Sequence, residues 1–287
     1  NAIGGGLRRK CVDLVSARPK VGKSVFGDNV AINVAKKGIP VLMLDTEMSK
    51  EDHLNRILSS ISGVPINDIA TGAFAQDDEK HIAVMEAMNQ IKEIPYTYVS
   101  VAGAPFENIL NHIKRWVLQE VGTDENGRTN ECVVVYDYLK LMSSSSISSN
   151  LQEYQALGFQ ITNLHNLAVK YDFACLAFVQ LNRDGITKES TDAVSGSDRL
   201  IWLCTSFSIF KEKSAEETAE DGPEAGNRKL VPVVSRHGPG MNDGNYINMR
   251  MDGSHALLTE LQTRDQFIQT GVHGALEGAE IEINEEE

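Results

Sequence analysis

Short apolar runs alternate along this chain with longer amphipathic stretches, the pattern of a mainly parallel sheet wrapped by helices. The apolar runs predict strands at 11–16, 41–46, 96–101, 133–139, 174–181, 205–211, 230–236 and 246–252. The amphipathic stretches predict helices at 24–37, 50–62, 78–93, 106–121 and 151–171. Ser49 followed by Asp52 gives the second of these a loose capping box. No long helix separates the last strands, so the sheet is expected to end in antiparallel hairpins. Connections at 122–131, 142–150, 182–198 and 212–228 read as exposed loops. One domain is the economical division: a lead-in linker at 1–10, the domain at 11–270, and an acidic, disordered tail at 271–287.

Between the first strand and the first helix stands Ala17-Arg18-Pro19-Lys20-Val21-Gly22-Lys23-Ser24. It meets the consensus G-x-x-x-x-G-K-[ST] at all but one position, with Ala17 where the first Gly usually sits. Strand, glycine-bearing turn and helix is the context that a phosphate loop requires. Backbone N–H groups from Lys20 to Ser24 are expected to point at a β-phosphate, at the positive end of a helix dipole. Arg18, Pro19, Lys20, Val21, Gly22, Lys23, Ser24 and Val25 are therefore the nucleotide-binding candidates. Lys23 is expected to bridge the β- and γ-phosphates, and the Ser24 hydroxyl to ligate Mg²⁺.

Hydrolysis requires more than a phosphate grip. Asp137 ends the apolar run Val133-Val134-Val135-Tyr136, where a buried carboxylate is costly unless a cation or hydrogen bonds hold it. In a parallel sheet that end faces the ligand crevice, so Asp137 is the second Mg²⁺ candidate, acting through water. Glu47 follows Leu42-Met43-Leu44-Asp45-Thr46 and is placed to polarise an attacking water. Asp45 is its rival for that role, and a helix-start Glu is also favoured simply by the dipole. Gln180 is polar after an apolar run, placed either to sense a γ-phosphate or to hydrogen-bond a loop.

Composition narrows the partners. A net charge of −13 argues against a broad basic face for nucleic acid. The charge is concentrated: six Glu and no Lys or Arg lie from His273 to Glu287. A second acidic stretch, Glu212 to Glu224, holds five Glu and Asp221 against Lys213 alone, and reads as solvated and mobile. Any DNA contact must then be local. Cys11, Cys132, Cys175 and Cys204 have no C-x-x-C spacing and read as reduced core thiols. No apolar run is long enough for a membrane span and no signal peptide opens the chain, which gives a cytoplasmic expectation. Asn1 in place of Met reads as the start of an excised or processed fragment.

The motifs also carry a resemblance. A-R-P-K-V-G-K-S, L-D-T-E-M-S, V-V-V-Y-D-Y-L-K-L-M, V-Q-L-N-R, S-G-S and S-R-H-G-P-G occur in that order. Over about 7–253 the chain resembles the RecA-like ATPase domain of DnaB-family replicative helicases, bacterial and phage. The phosphate loop alone is common; the D-Y-L-x-L-M and Q-L-N-R pair is far more specific. Gly4-Gly5-Gly6-Leu7-Arg8-Arg9 resembles the segment that enters this domain in the family.

The resemblance implies an α/β, RecA-like P-loop NTPase fold, and ATP with Mg²⁺ as cofactors. It implies a hexameric ring on single-stranded DNA in the cytoplasm (a host's, if phage-encoded), with primase and a helicase loader as further partners. Glu47 matches the catalytic glutamate, Asp137 the Walker B aspartate, and Gln180 the glutamine linking nucleotide state to DNA. Arg236 matches the arginine finger that reaches a neighbouring subunit's ATP. Several relatives carry Lys two residues before the finger, where this chain has Val234; Lys229 or Arg228 is the candidate replacement. Arg183, Ser195, Gly196 and Ser197 match a central-channel loop whose backbone amides hold DNA phosphates, a mode that needs little side-chain charge. Two other readings share the phosphate loop: a RecA-like recombinase or signalling ATPase, and a regulatory ATP-binding module without turnover.

Overall fold

A computed structural model describes residues 4–139, 153–180 and 202–270. The parallel part of its sheet comprises β1 (Val12–Ala17), β2 (Val41–Asp45), β3 (Tyr96–Ser100), β4 (Val133–Leu139), β5 (Ala174–Gln180) and β6 (Ser206–Glu212). Three antiparallel strands follow, β7 (Arg228–Ser235), β8 (Ile247–Asp252) and β9 (Leu257–Thr263). The order across the sheet is β3-β2-β4-β5-β1-β6-β7-β8-β9. The expected α/β fold with an antiparallel end is what the structure has.

β1 and β2 are buried at every position, because helices cover both faces of a parallel sheet. On one face lie α5 (Phe106–Trp116) and α6 (Glu153–Tyr171). α5 seats Phe106, Ile109, Ile113 and Trp116 in the larger core, a spacing of three and four residues that keeps them on one side. The other face carries α1 (Lys23–Ala35), whose Phe26, Ala31 and Ala35 pack against Met43, Val135 and Phe178. Beyond it α2 (Lys50–Ser62), α3 (Ile66–Thr71) and α4 (Asp78–Glu93) enclose a small separate cluster around Leu58, Val64 and Val84. Ser49 caps α2 by accepting from the Asp52 N–H at 3.0 Å, as the capping pattern predicts.

Three expectations need correction. The predicted helix 106–121 is α-helical only to Trp116 and ends in a π-helical turn, Val117–Val121. β9 was not anticipated: it is a half-exposed outer strand without a strong apolar run. The acidic stretch Glu212–Glu224 is not a solvated loop. It folds as α7 (Ala215–Asp221), opened by a capping box between Ser214 and Glu217. Asp221 is buried there, accepting from Lys213 Nζ at 2.7 Å, the Tyr246 hydroxyl at 2.6 Å and Arg264 Nε at 3.0 Å. Partners 8, 25 and 43 residues away neutralise what local charge counting treats as repulsion.

The register sets the stage for chemistry. Ala17 pairs with Gln180 and Asp45 with Asp137, so the carboxyl ends of four adjacent strands gather at one end of the sheet.

Candidate nucleotide-binding site

β1 ends at Ala17 and the chain turns through 18–22 before α1 begins. Gly22 has φ 114°, a left-handed backbone that an L side chain rarely adopts. A Cβ there would also come within 2.5 Å of Met251 Sδ. No side chain caps α1 and no acidic residue occupies its first turn. Its open N–H groups therefore face outward with the positive end of the helix dipole, ready for an anion.

The turn opens into a cleft of about 630 Å³. Pro19, Lys20, Gly22, Lys23, Ser24 and Val25 line one side, with Glu47 and Gln180 from the neighbouring strand ends. Asp137 lies behind them, buried, and takes a side-chain hydrogen bond from Ser24. Of the candidates at this end of the sheet, the fold thus gathers Lys23, Ser24, Glu47, Asp137 and Gln180 around one space.

The electrostatics follow from burial. Desolvation pushes the Asp137 carboxyl up to about 6; the Ser24 hydrogen bond and Lys23 oppose this, while Asp45 and Glu47 reinforce it. Asp137 Oδ1 is buried with no hydrogen-bond partner. An orphaned carboxylate oxygen beside a serine hydroxyl is a hard, all-oxygen donor set, and it fits Mg²⁺. Lys23 is pulled below the ordinary lysine range by its own burial, against the attraction of Asp137 and Glu47. Its ammonium rests 4.8 Å from the centre of the Tyr138 ring, and the Tyr138 hydroxyl donates to Glu47 Oε1 at 2.9 Å.

Asp45 and Glu47 are separated by their surroundings. Asp45 is buried and its Oδ1 accepts the N–H groups of Glu47 and Met48 at 2.7 and 2.8 Å. It closes the bend that carries Glu47, while Glu47 itself is exposed on the cleft.

The family model for the DnaB-like helicase C terminal domain matches residues 1–195. The chain belongs to that family. Replicative DNA helicase DnaB of Synechocystis sp. is 28% identical over 184 residues, 64% of this chain and 20% of the relative. A probable replicative DNA helicase of Trieres chinensis is 25% identical over 248 residues, covering 82% of this chain and 50% of its own. A solved ATPase domain superposes with a TM-score of 0.75 at 16% identity, covering 90% of this chain and 87% of that one. A DnaB-like replicative helicase, solved in work on its interactions with primase, gives 0.74 at 16% identity, covering 90% and 59%. The chain spans half or less of the length of these two curated relatives.

In this DnaB-like domain Arg236 stands apart from the cleft. Its N–H donates to Thr205 O, and Thr205 N–H donates to Val12 O, which puts it at the start of β1. The phosphate loop follows the other end of that strand, roughly 17 Å away at ~3.3 Å per residue. Arg236 is exposed, and its guanidinium donates to Trp202 O. Neither candidate replacement for the missing Lys is near it. Lys229 is 3% exposed and paired with Glu217. Arg228 pairs with Glu212 at 2.8 Å and donates to Val21 O at 3.1 Å, beside the chain's own phosphate loop. The DNA candidates Arg183, Ser195, Gly196 and Ser197 lie outside the described residues, as does the tail from 271.

Sequence reasoning missed Arg56, Ile66, Tyr138, Met251, Gly253 and Ala256, which complete the cleft wall. Tyr138 could have been found, since it directly follows Asp137. The others come from α2, α3, the end of β8 and the β8–β9 turn, and only the fold brings them here. The four cysteines are free, as expected, and burial pushes the Cys132 and Cys204 thiols up to about 12. No helix among the described residues is long and apolar enough to cross a membrane.

Proposed function

We propose that this chain is the ATP-hydrolysing motor domain of a replicative DNA helicase, working in the cytoplasm as a hexameric ring on single-stranded DNA. The observation that carries the reading is the single cleft that joins the phosphate loop to Glu47 and Gln180, with Asp137 and its orphaned oxygen behind. Lys23 and the first-turn N–H groups of α1 would hold the β- and γ-phosphates. Ser24, and Asp137 through water, would hold Mg²⁺, which when bound draws negative charge from the phosphates.

Glu47 orients the attacking water and takes its proton as the water's oxygen bonds to the γ-phosphorus. The β–γ bridging oxygen leaves with its electron pair, and Lys23 stabilises the charge it gains. Gln180, paired with Ala17 where the phosphate loop begins, reports the γ-phosphate to the 182–198 segment that follows it. Arg236 acts on the next subunit's nucleotide, because it sits at the far end of the sheet from its own. Primase is a partner by analogy with the solved relative studied with it.

The deciding experiment is the ATPase rate with and without single-stranded DNA, over a range of protein concentrations. A site built from two subunits loses specific activity on dilution and gains it with DNA. A rate independent of both would exclude the ring motor.

A further inference from the structure

α1 and α2 face each other through a buried pair that catalysis as described above does not use. Asp28 lies on α1 four residues after Ser24, on the same side of the helix. It is 3% exposed, and neither of its carboxyl oxygens has a hydrogen-bond partner. His53 lies in the first turns of α2, 2% exposed, with Nδ1 at 3.4 Å from Asp28 Oδ1. Its other nitrogen, Nε2, shares a hydrogen bond of 2.6 Å with the Tyr96 hydroxyl, and its ring stacks on Tyr98 at 4.0 Å.

Tyr98 leads from this pair to Glu47. Its hydroxyl donates to Met48 O at 3.2 Å. Asp45 in turn holds the N–H groups of Glu47 and Met48. The His53 N–H closes the other side of the bend on Ser49 O at 3.1 Å. A continuous set of polar and aromatic contacts, buried or half-buried, thus runs from the phosphate-loop helix to the bend presenting Glu47. An apolar pair would fill the gap between the two helices at lower desolvation cost. Burial pushes the Asp28 carboxyl well up and the His53 imidazole down to about 3, disfavouring the charged form of each.

We propose that Asp28 and His53 are positioning residues that lock the Glu47 bend to the phosphate-loop helix. The pair fixes where Glu47 stands relative to a nucleotide held by Lys23 and Ser24. This rests on the reading of Glu47 given above.

Asp28→Leu tests it, because packing and positioning predict opposite signs. Removing two unpartnered buried oxygens raises the thermal midpoint, whereas unlocking the bend lowers kcat about tenfold with KM for ATP within about twofold. Asp28→Asn, whose amide can donate to His53 Nδ1, restores kcat to within about threefold of the parent. If Asp28→Leu does not fold, His53→Leu against His53→Gln gives the same contrast from α2. An unchanged kcat in the leucine variants overturns the proposal unless residues 45–53 have loosened, and so does a loss confined to ATP affinity. Asparagine performing no better than leucine overturns it too. Amide hydrogen exchange of residues 45–53 separates this failure from a failure of the Glu47 reading. Unchanged protection in Asp28→Leu sinks the lock. Faster exchange with unchanged kcat keeps the lock and removes Glu47 from the chemistry.

Discussion

The Tyr138 hydroxyl donates to Glu47 Oε1 at 2.9 Å, while Lys23 lies 4.8 Å from the centre of the same ring. One side chain thus holds the two groups that the proposed mechanism brings to the γ-phosphate. Glu47→Gln keeps the size and the Tyr138 contact but removes the base. The expected result is ATP binding within about threefold of the parent and turnover reduced about a hundredfold or more. Equilibrium binding of a fluorescent nucleotide and a phosphate-release assay check the two halves separately.

Arg236 and Lys23 lie at opposite ends of the sheet, so their defects should complement. Arg236→Ala and Lys23→Ala are each expected to lose about 10³-fold in turnover. Mixed rings of the two regain a measurable fraction, because some interfaces then pair an intact phosphate loop with an intact arginine. Complete inactivity at every mixing ratio would place both residues in one subunit's site.

Asp137 gives the pH dependence. Its carboxyl is raised from 3.8 to about 6, and the proposed metal-nucleotide binding uses the charged form. Affinity for magnesium-nucleotide is expected to fall about tenfold per unit below that pH, and to be flat above it. The sign for stability is opposite. Without ligand the native state holds this proton more tightly than the unfolded chain, so stability declines as pH rises from 3.8 to about 6. Denaturant titrations of the parent and of Asp137→Asn check this, the decline being smaller in the variant.

Asp221 anchors α7 through Lys213, Tyr246 and Arg264, and the Lys213 and Asp221 side chains are 0% and 1% exposed. Removing one partner of a buried pair strands the other charge. Asp221→Ala is expected to cost about 3–5 kcal/mol, read from urea unfolding. Glu216→Ala on the same helix, which has no such anchor, is expected to stay within about 0.5 kcal/mol.

The sequence alone determined the elements whose cause is local. Each parallel strand follows from a short, mainly apolar run, and α2 and α4 from apolar spacing with start signals such as Ser49. The phosphate loop was legible because glycine, lysine and serine at fixed spacing between strand and helix have one common purpose. Glu47, Asp137 and Gln180 were found as polar residues ending apolar runs, a signal that needs no contacts.

Tertiary structure decided everything that depends on distant partners. Arg56 and Met251 reach the cleft only because α2 and the β8 end fold over it. α7 looked like a repelling acidic loop until Lys213, Tyr246 and Arg264 closed on Asp221. Asp28 and His53 are unremarkable letters in two separate helices. Their meaning arises from packing, which excludes water from two polar groups and leaves them only each other and two tyrosines. Burial is a property of the whole fold, and in this protein it is burial that turns ordinary side chains into chemistry.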